Sequence, residues 1–379
     1  MKASEHIFES DVKNDRIDIY KDPTVKIKDM SKKDIFGDTL HLQLEGNCID
    51  NSVSNGIRQT ILKKIPIYAF HRKNIHVEND KSYNMYNNDM LFNQIETLPI
   101  YDIPNYFDLE NPEIFLPDHI SKDIFGTFKD PMVLDNEEEP DRKKKKSSES
   151  IGGEKKLFRI EFTLNVKNAT NTEKYVSTHD AVLRIDGKKV DSYLKHDPVD
   201  IIVLKELKEE VSMRAEELSL RAEANLGISQ DHAMYDATTN VVSKEIESNK
   251  WEIIYDTIGQ LDKYIIFQKA CFIIQKKLKN LHSFVKKTYT AELDPKKYVE
   301  IRLHGEDHML GNLLGTALQK CTLITDAGYE KPHPLKDLVI IKFLIASKTD
   351  ITPIQVFCDT VKYLIKVHET IEQNLPKRK

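Results

Sequence analysis

The sequence feature that most constrains the fold is an internal repeat of a strand–turn–helix pattern. Its first copy, residues 42–57, reads as an alternating strand ending in glycine, a polar turn and a helix that carries Asn55. Its second copy, residues 301–314, follows the same order and carries Asn312 in the helix. One such unit cannot cover its own apolar face, whereas two copies can cover each other in a pseudo-two-fold pair. The repeat therefore predicts an internal pseudo-dimer; the alternative is two unrelated α+β segments that are alike by chance.

Apolar periodicity predicts the elements around this repeat. Alternation or β-rich composition predicts strands at 39–46, 68–77, 157–166, 181–185, 199–204, 298–305 and 338–346. Helical spacing predicts helices at about 51–64, with Asn51 or Ser52 as the cap, and at about 260–289, 309–320 and 353–374. Weaker signals predict an extended arm or edge strand at 25–28, a hairpin at 210–223, and turns at 186–187 and 328–334. Lys277 interrupts the apolar stripe of the helix at about 260–289.

Composition excludes several classes of protein. The chain of 379 residues carries 56 basic and 61 acidic residues, a net charge of -5, so it lacks a basic field for gripping nucleic acid. Its four cysteines are far apart, which argues against a disulfide framework or a zinc site and favours reduced, buried thiols. The longest apolar stretch, 338–346, is about half a membrane span, so we expect a soluble, intracellular protein.

Two motifs in the last part of the chain carry a resemblance to a known family. Residues 306–314 (EDHMLGNLL) and 327–335 (AGYEKPHPL) resemble the signature of the small alpha-like subunit of eukaryotic and archaeal RNA polymerases. In polymerase II that subunit is the eleventh. The family usually has Thr where Met309 stands and Arg where Gly315 stands, so one inter-subunit polar contact is in doubt.

The first part resembles the larger partner of that small subunit. This partner is the third subunit of polymerase II, its archaeal counterpart, or the amino-terminal domain of bacterial alpha. The matching blocks are residues 44–46, 54–62, 65–69 and 227–235. The cysteine cluster that some relatives carry in their insert domain is absent, so we predict no metal, iron–sulfur or other cofactor site.

The resemblance implies an α+β fold: a pseudo-two-fold pair of alpha-like dimerisation domains with an insert domain in the first half. The predicted divisions are an arm or linker at 1–35, a discontinuous third-subunit-like domain at 36–96 and 200–290, an insert at 97–199, and an eleventh-subunit-like domain at 296–379. Residues 135–155 are an acidic block, a basic block and then Ser and Gly, so we expect a disordered loop there. Its basic run, 142–146, is better explained as a solvated loop than as a nuclear-localisation signal.

The resemblance also implies a function: a non-catalytic assembly subunit of a DNA-dependent RNA polymerase. Its partners would be the two largest subunits and a small zinc-binding subunit, with DNA reached only through the complex. Fusion of the two alpha-like subunits is similar to the arrangement in large DNA viruses, which implies the virion and the cytoplasmic viral factory, or otherwise the nucleus. The motif residues expected near subunit interfaces are Asn55, Arg58, Glu306, Asp307, His308, Gly311, Asn312, Leu313, Tyr329, Pro332 and His333.

Other classes of function remain as alternatives. His304 and His308 are spaced like metal ligands, but a strand-to-helix turn separates them, and the acidic pair between them is expected to cap and support the helix. On that interpretation, Glu306→Ala would cost about 1 kcal/mol or less. Asp231 and His232, with Asp236, could form a general-base pair, yet no phosphate loop or nucleophile accompanies them.

Two further alternatives are binding functions. The lysines of residues 276–287 could contact DNA, although the helical stripe explains most of them as a solvated face. A scaffold protein of another viral or nuclear complex is the remaining possibility.

Overall fold

The computed structural model describes residues 16–31, 39–78, 88–101, 103, 116–126, 128, 157–207, 215–289, 297–346 and 351–376. The predicted disordered loop at 135–155 lies outside these residues. The strands are β1 (Lys26–Asp29), β2 (Thr39–Glu45), β3 (Pro66–Val77), β4 (Ile160–Asn168), β5 (Lys174–Ser177), β6 (Ala181–Ile185), β7 (Lys188–Val190), β8 (Asp200–Leu204), β9 (Glu216–Ile228), β10 (Thr238–Glu247), β11 (Lys250–Thr257), β12 (Val299–His304), β13 (Ile324–Glu330) and β14 (Leu338–Ile345). The helices are α1 (Asn51–Lys63), α2 (Asn88–Glu96), α3 (Asp118–Phe125), α4 (Lys263–Thr288), α5 (His308–Lys320) and α6 (Pro353–Gln373).

The strands form antiparallel sheets in the described parts of the chain. Their orders are β1-β2-β11-β10, β3-β9-β4-β6-β7, β12-β14-β13 and the pair β5-β8. The alternation that predicts β2 buries Leu40, Leu42 and Leu44 completely. Helices and strands thus share the core, and the predicted α+β class is confirmed. Strands from the predicted insert, such as β4, lie in the same sheet as β3 and β9, and the domain boundaries stay predictions.

The residue that caps helix α1 lies one position before the predicted caps. Asp50 has extended backbone (φ −137°), and its side chain accepts a hydrogen bond from the Val53 amide at 3.0 Å. The expected capping by Asn51 or Ser52 is therefore wrong, because the acidic side chain before them already satisfies that donor. The predicted hairpin turn is confirmed: Asp186 and Gly187 both have positive φ, at 50° and 77°.

One predicted turn is partly a strand. The expected turn containing Gly328 is partly wrong, because β13 pairs with β14 through Glu330 and the turn follows it. There, pairing with the neighbouring strand outweighs local turn propensity. Of the expected hairpin at 210–223, residues 216–223 lie in β9, whereas 210–214 lie outside the described part of the chain, so the hairpin stays a prediction.

The two long helices, α4 and α6, pack against each other across the two halves. Glu372 of α6 accepts hydrogen bonds from Gln268 and Gln275 of α4, at 3.2 and 2.8 Å. Lys279 of α4 forms an ion pair with Glu369 of α6 at 3.0 Å. Helix α1 of the first half packs on α5 of the second. The apolar core is therefore continuous between the halves.

Candidate subunit interface

The two motifs of the second half meet where α5 packs on β13. A Cβ atom at Gly311 would lie 2.5 Å from the Tyr329 ring and 2.9 Å from Val339, so only glycine lets the helix approach the strand this closely. The His308 ring lies edge-on to Tyr329, with 6.0 Å between ring centroids. Two blocks that are separated in sequence therefore build one surface.

Asp307 caps the start of α5 and holds the loop that follows β13 through Lys331. Its carboxylate accepts hydrogen bonds from the His308 amide at 2.8 Å and from the Lys331 ammonium at 3.0 Å. Partial burial opposes its ionisation, yet these donors hold the pKa of Asp307 below its usual value. The predicted capping role is thus confirmed for Asp307.

Glu306 has a different role from the predicted one. Its carboxylate lies 2.6 Å from the Lys277 ammonium of α4, and the two side chains are 2% and 7% exposed. The interpretation of Glu306 as support for a helix terminus is wrong, because its charge is neutralised by a buried partner from the first half. This ion pair explains the lysine in the apolar stripe of α4.

Charges at the ends of α1 and α5 show that these helices run antiparallel. Lys320, the last residue of α5, lies 2.9 Å from Asp50, which caps the start of α1. At the other end, Lys64 follows α1 in the neighbourhood of Glu306 and Lys277. Burial and the charge of Lys277 lower the pKa of Lys64 to about 8. This arrangement is what a pseudo-two-fold axis between the helices produces.

The polar motif residues of the two helices pair locally. Arg58 donates its Nε–H to the Asn55 side chain at 3.0 Å, and both residues are half-buried on α1. On α5, Asn312 accepts a hydrogen bond from Thr316 at 3.4 Å, while Leu313 is completely buried. Leu313 therefore belongs to the core, whereas Asn55, Arg58 and Asn312 retain access to solvent.

The loop 331–337 places the remaining motif residues on the surface. Pro332 and His333 are exposed, and the His333 ring accepts a hydrogen bond from the Leu335 amide at 3.1 Å. Leu335 is 81% exposed, the largest value among the exposed large apolar side chains of the described residues. The loop leaves Pro332, His333 and Leu335 accessible to solvent; a single exposed leucine is ordinary on a protein surface and does not by itself mark a binding site.

The alternative sites gain no support from the described part of the chain. There, no group of three or more His, Cys, Asp or Glu side chains could hold a metal ion. His232 caps a short turn through a hydrogen bond from the Met234 amide, and Asp236 accepts a hydrogen bond from Ser229. No described helix is both long and apolar enough to cross a membrane.

Sequence reasoning missed two features of this interface. It identified neither the partner of Glu306 nor the Asp50–Lys320 pair that joins the halves. The first had a signal, since a lysine in an otherwise apolar helical stripe must find an anion when it is buried. The Asp50–Lys320 pair had no sequence signal, because each residue looks like an ordinary charge at the end of a helix.

Comparison with known proteins identifies the class. Residues 298–374 match the family model described as RNA polymerase Rpb3/Rpb11 dimerisation domain. The chain is also 43% identical, over 364 residues, to a provisionally named DNA-directed RNA polymerase subunit of Acanthamoeba polyphaga mimivirus. That match covers 96% of this chain and 97% of the viral protein. The chain therefore belongs to the family of RNA polymerase subunits that carry the Rpb3/Rpb11 dimerisation domain.

Shorter matches connect the chain to an archaeal protein. It is 45% identical over 49 residues to the RNA polymerase subunit Rpo11 of Saccharolobus islandicus, which covers 13% of this chain and 53% of that protein. Rpo11 of Metallosphaera sedula is 44% identical over 60 residues, 16% of this chain and 62% of that protein. The expected membership in the alpha-like family is confirmed, and the similarity to a mimivirus protein supports the expected viral source.

Proposed function

We propose that this chain is a non-catalytic assembly subunit, which forms the alpha-like platform on which an RNA polymerase is built. The observation that carries the proposal is the closed pairing of the halves, α4 on α6 and α1 on α5, within one polypeptide. A heterodimer made of separate chains must first associate, whereas this pair is joined covalently and its effective concentration is high. The platform is therefore complete before any partner binds.

The partners of this platform are two large catalytic subunits and a small zinc-binding subunit. The surface that supports this assignment includes Arg58 and the exposed loop carrying His333 and Leu335. Catalysis and contact with DNA belong to the other chains, and this chain requires no cofactor of its own. The complex acts in the virion and the viral factory, and a mimivirus relative that covers almost the whole chain supports this placement.

Variants of the exposed loop test the proposal. Tagged full-length chain is purified from its native source, and the recovered polymerase subunits are quantified by mass spectrometry. If Leu335 lies in the proposed contact, Leu335→Asp should reduce recovery of the large subunits about tenfold, because the variant would bring a charge into that contact. Leu194→Asp is the matched control, since Leu194 is also an exposed leucine (59%) but lies far from the motifs in sequence. Equal recovery with both variants would contradict the role of this loop.

A further inference from the structure

Residues 16–25, which we term the N-terminal arm, are anchored to the first half at one end. The Thr24 carbonyl lies so close to Gly46 that a Cβ atom there would be 2.2 Å from the oxygen. The Cys48 thiol donates to the same carbonyl at 3.8 Å. The chain then continues into β1, which pairs with β2. This end of the arm is therefore fixed on the first half.

The other end of the arm is held by the second half. The Ile17 amide donates to the Lys320 carbonyl at 2.7 Å, and the Ile17 carbonyl accepts from the Thr322 amide at 3.3 Å. These two bonds form a parallel bridge at Cys321, where α5 leads into β13. Ile19 is 7% exposed and belongs to the common core. The attachment thus combines backbone hydrogen bonds with apolar burial.

Between these ends the arm runs along α6. Tyr20 donates to Asp359 at 3.5 Å, and Asp22 forms an ion pair with Lys366 at 3.2 Å. The Val25 carbonyl accepts a hydrogen bond from Asn374 at 2.9 Å. The ion pair is exposed and contributes little. Even so, the contacts follow α6 through several turns, so the arm lies along that helix, with a turn at residues 18–21 where the Lys21 amide donates to the Asp18 carbonyl at 3.1 Å.

We propose that the N-terminal arm is an intramolecular clasp that keeps α6, and with it the second half, closed on the first. The second half thus carries a docking surface whose occupant is the chain's own residues 16–25. The segment between α4 and β12 joins the halves in any conformation, whereas the clasp holds only when they are closed. The clasp therefore favours the closed arrangement of the two halves over an open one.

Hydrogen exchange of the intact chain, measured by mass spectrometry, tests the clasp. Ile17→Pro removes the amide that bonds Lys320, and Ile19→Ala removes buried apolar contact without changing the backbone. If the clasp holds α6 closed, each variant should speed exchange of α6 amides about threefold to tenfold, because opening becomes more frequent. Lys21→Ala is the control, since its ion pair with Asp18 stays within the arm.

Reference peptides, one from β4 and one from β9, separate opening of the two halves from general unfolding of the chain. If amide exchange of the β4 and β9 peptides also speeds up in Ile17→Pro, that variant unfolds more generally, and Ile19→Ala is the variant that tests the clasp. Faster exchange of α6 amides, with unchanged exchange in the β4 and β9 peptides, establishes the clasp. If exchange speeds up only at residues 321–323, or if α6 exchanges as in the parent chain, the arm is a local attachment and the clasp is wrong.

Discussion

Removing the carboxylate of Glu306 should destabilise the fold far more than a helix-capping role allows. Lys277 and Glu306 are almost fully buried, and their charged atoms lie 2.6 Å apart. In Glu306→Ala, the Lys277 ammonium remains in the interior without its anion. Breaking a buried pair in this way costs about 3–5 kcal/mol of unfolding free energy. Loss of a helix cap costs about 1 kcal/mol.

The neighbouring residue supplies a matched comparison. Asp307 caps α5 with a side chain that is 63% exposed, so Asp307→Ala should cost about 1 kcal/mol. Urea unfolding is followed by the fluorescence of Trp251, the single tryptophan, which is 8% exposed on β11. Far-UV circular dichroism on the same samples shows whether both probes report one transition, as extrapolation of the free energy to water requires.

Replacing both partners separates the charge from the volume. Lys277→Met combined with Glu306→Leu fills the site without ions, so its stability should lie within about 1 kcal/mol of the parent chain or above it. With the single variants Lys277→Met and Glu306→Leu measured alongside, the double-mutant cycle gives the coupling energy of the pair. If Glu306→Ala costs no more than Asp307→Ala, the carboxylate is not an essential buried partner and this reasoning is refuted.

Four further substitutions test the core and its buried titratable groups. Leu313→Asp places an unpaired charge in the core and should cost more than about 4 kcal/mol; wild-type melting would contradict its placement. Gly311→Ala should cost about 1–3 kcal/mol through collision with Tyr329, and an unchanged urea midpoint would mean that the helix can shift. Burial lowers the pKa of His368 to about 4, so the parent should lose stability as pH falls from 6.5 to 4, and His368→Leu should remove that loss. Burial lowers the pKa of Lys269 to about 7, so stability should rise between pH 7 and 10.5 in the parent and rise less steeply in Lys269→Met, where Lys64 still contributes, as thermal melting across pH can show.

The sequence predicts the architecture well wherever the signal is periodic. The buried leucines of β2 and the apolar stripes of α4 and α6 follow from spacing alone, because each buries one face. The repeat also predicts that the two halves pair, because an apolar face that is exposed in one unit can be covered by the same face of a second copy. The motif resemblance singles out Gly311 as a motif residue, and the structure supplies its role, since the Tyr329 ring leaves no room for a Cβ atom there.

The failures share a physical cause, which is contact between residues distant in sequence. The partner of Glu306 lies on another helix, so local pattern favours a capping role that the structure gives to Asp307 alone. Strand β13 contains Gly328, whose local preference is for a turn, yet pairing with β14 determines its conformation. The N-terminal arm has weak periodicity, and its order depends on the surface of α6 that it covers.

The measurement that tests the central proposal most directly is the composition of the complex that the wild-type chain forms. The tagged chain is purified from its native source, washed in high salt and analysed by native mass spectrometry. We expect one copy of this chain with two polymerase-sized subunits and one small zinc protein, in a complex that transcribes DNA. Recovery of the chain alone, or with structural proteins of a virion only, would contradict its role as an RNA polymerase assembly subunit.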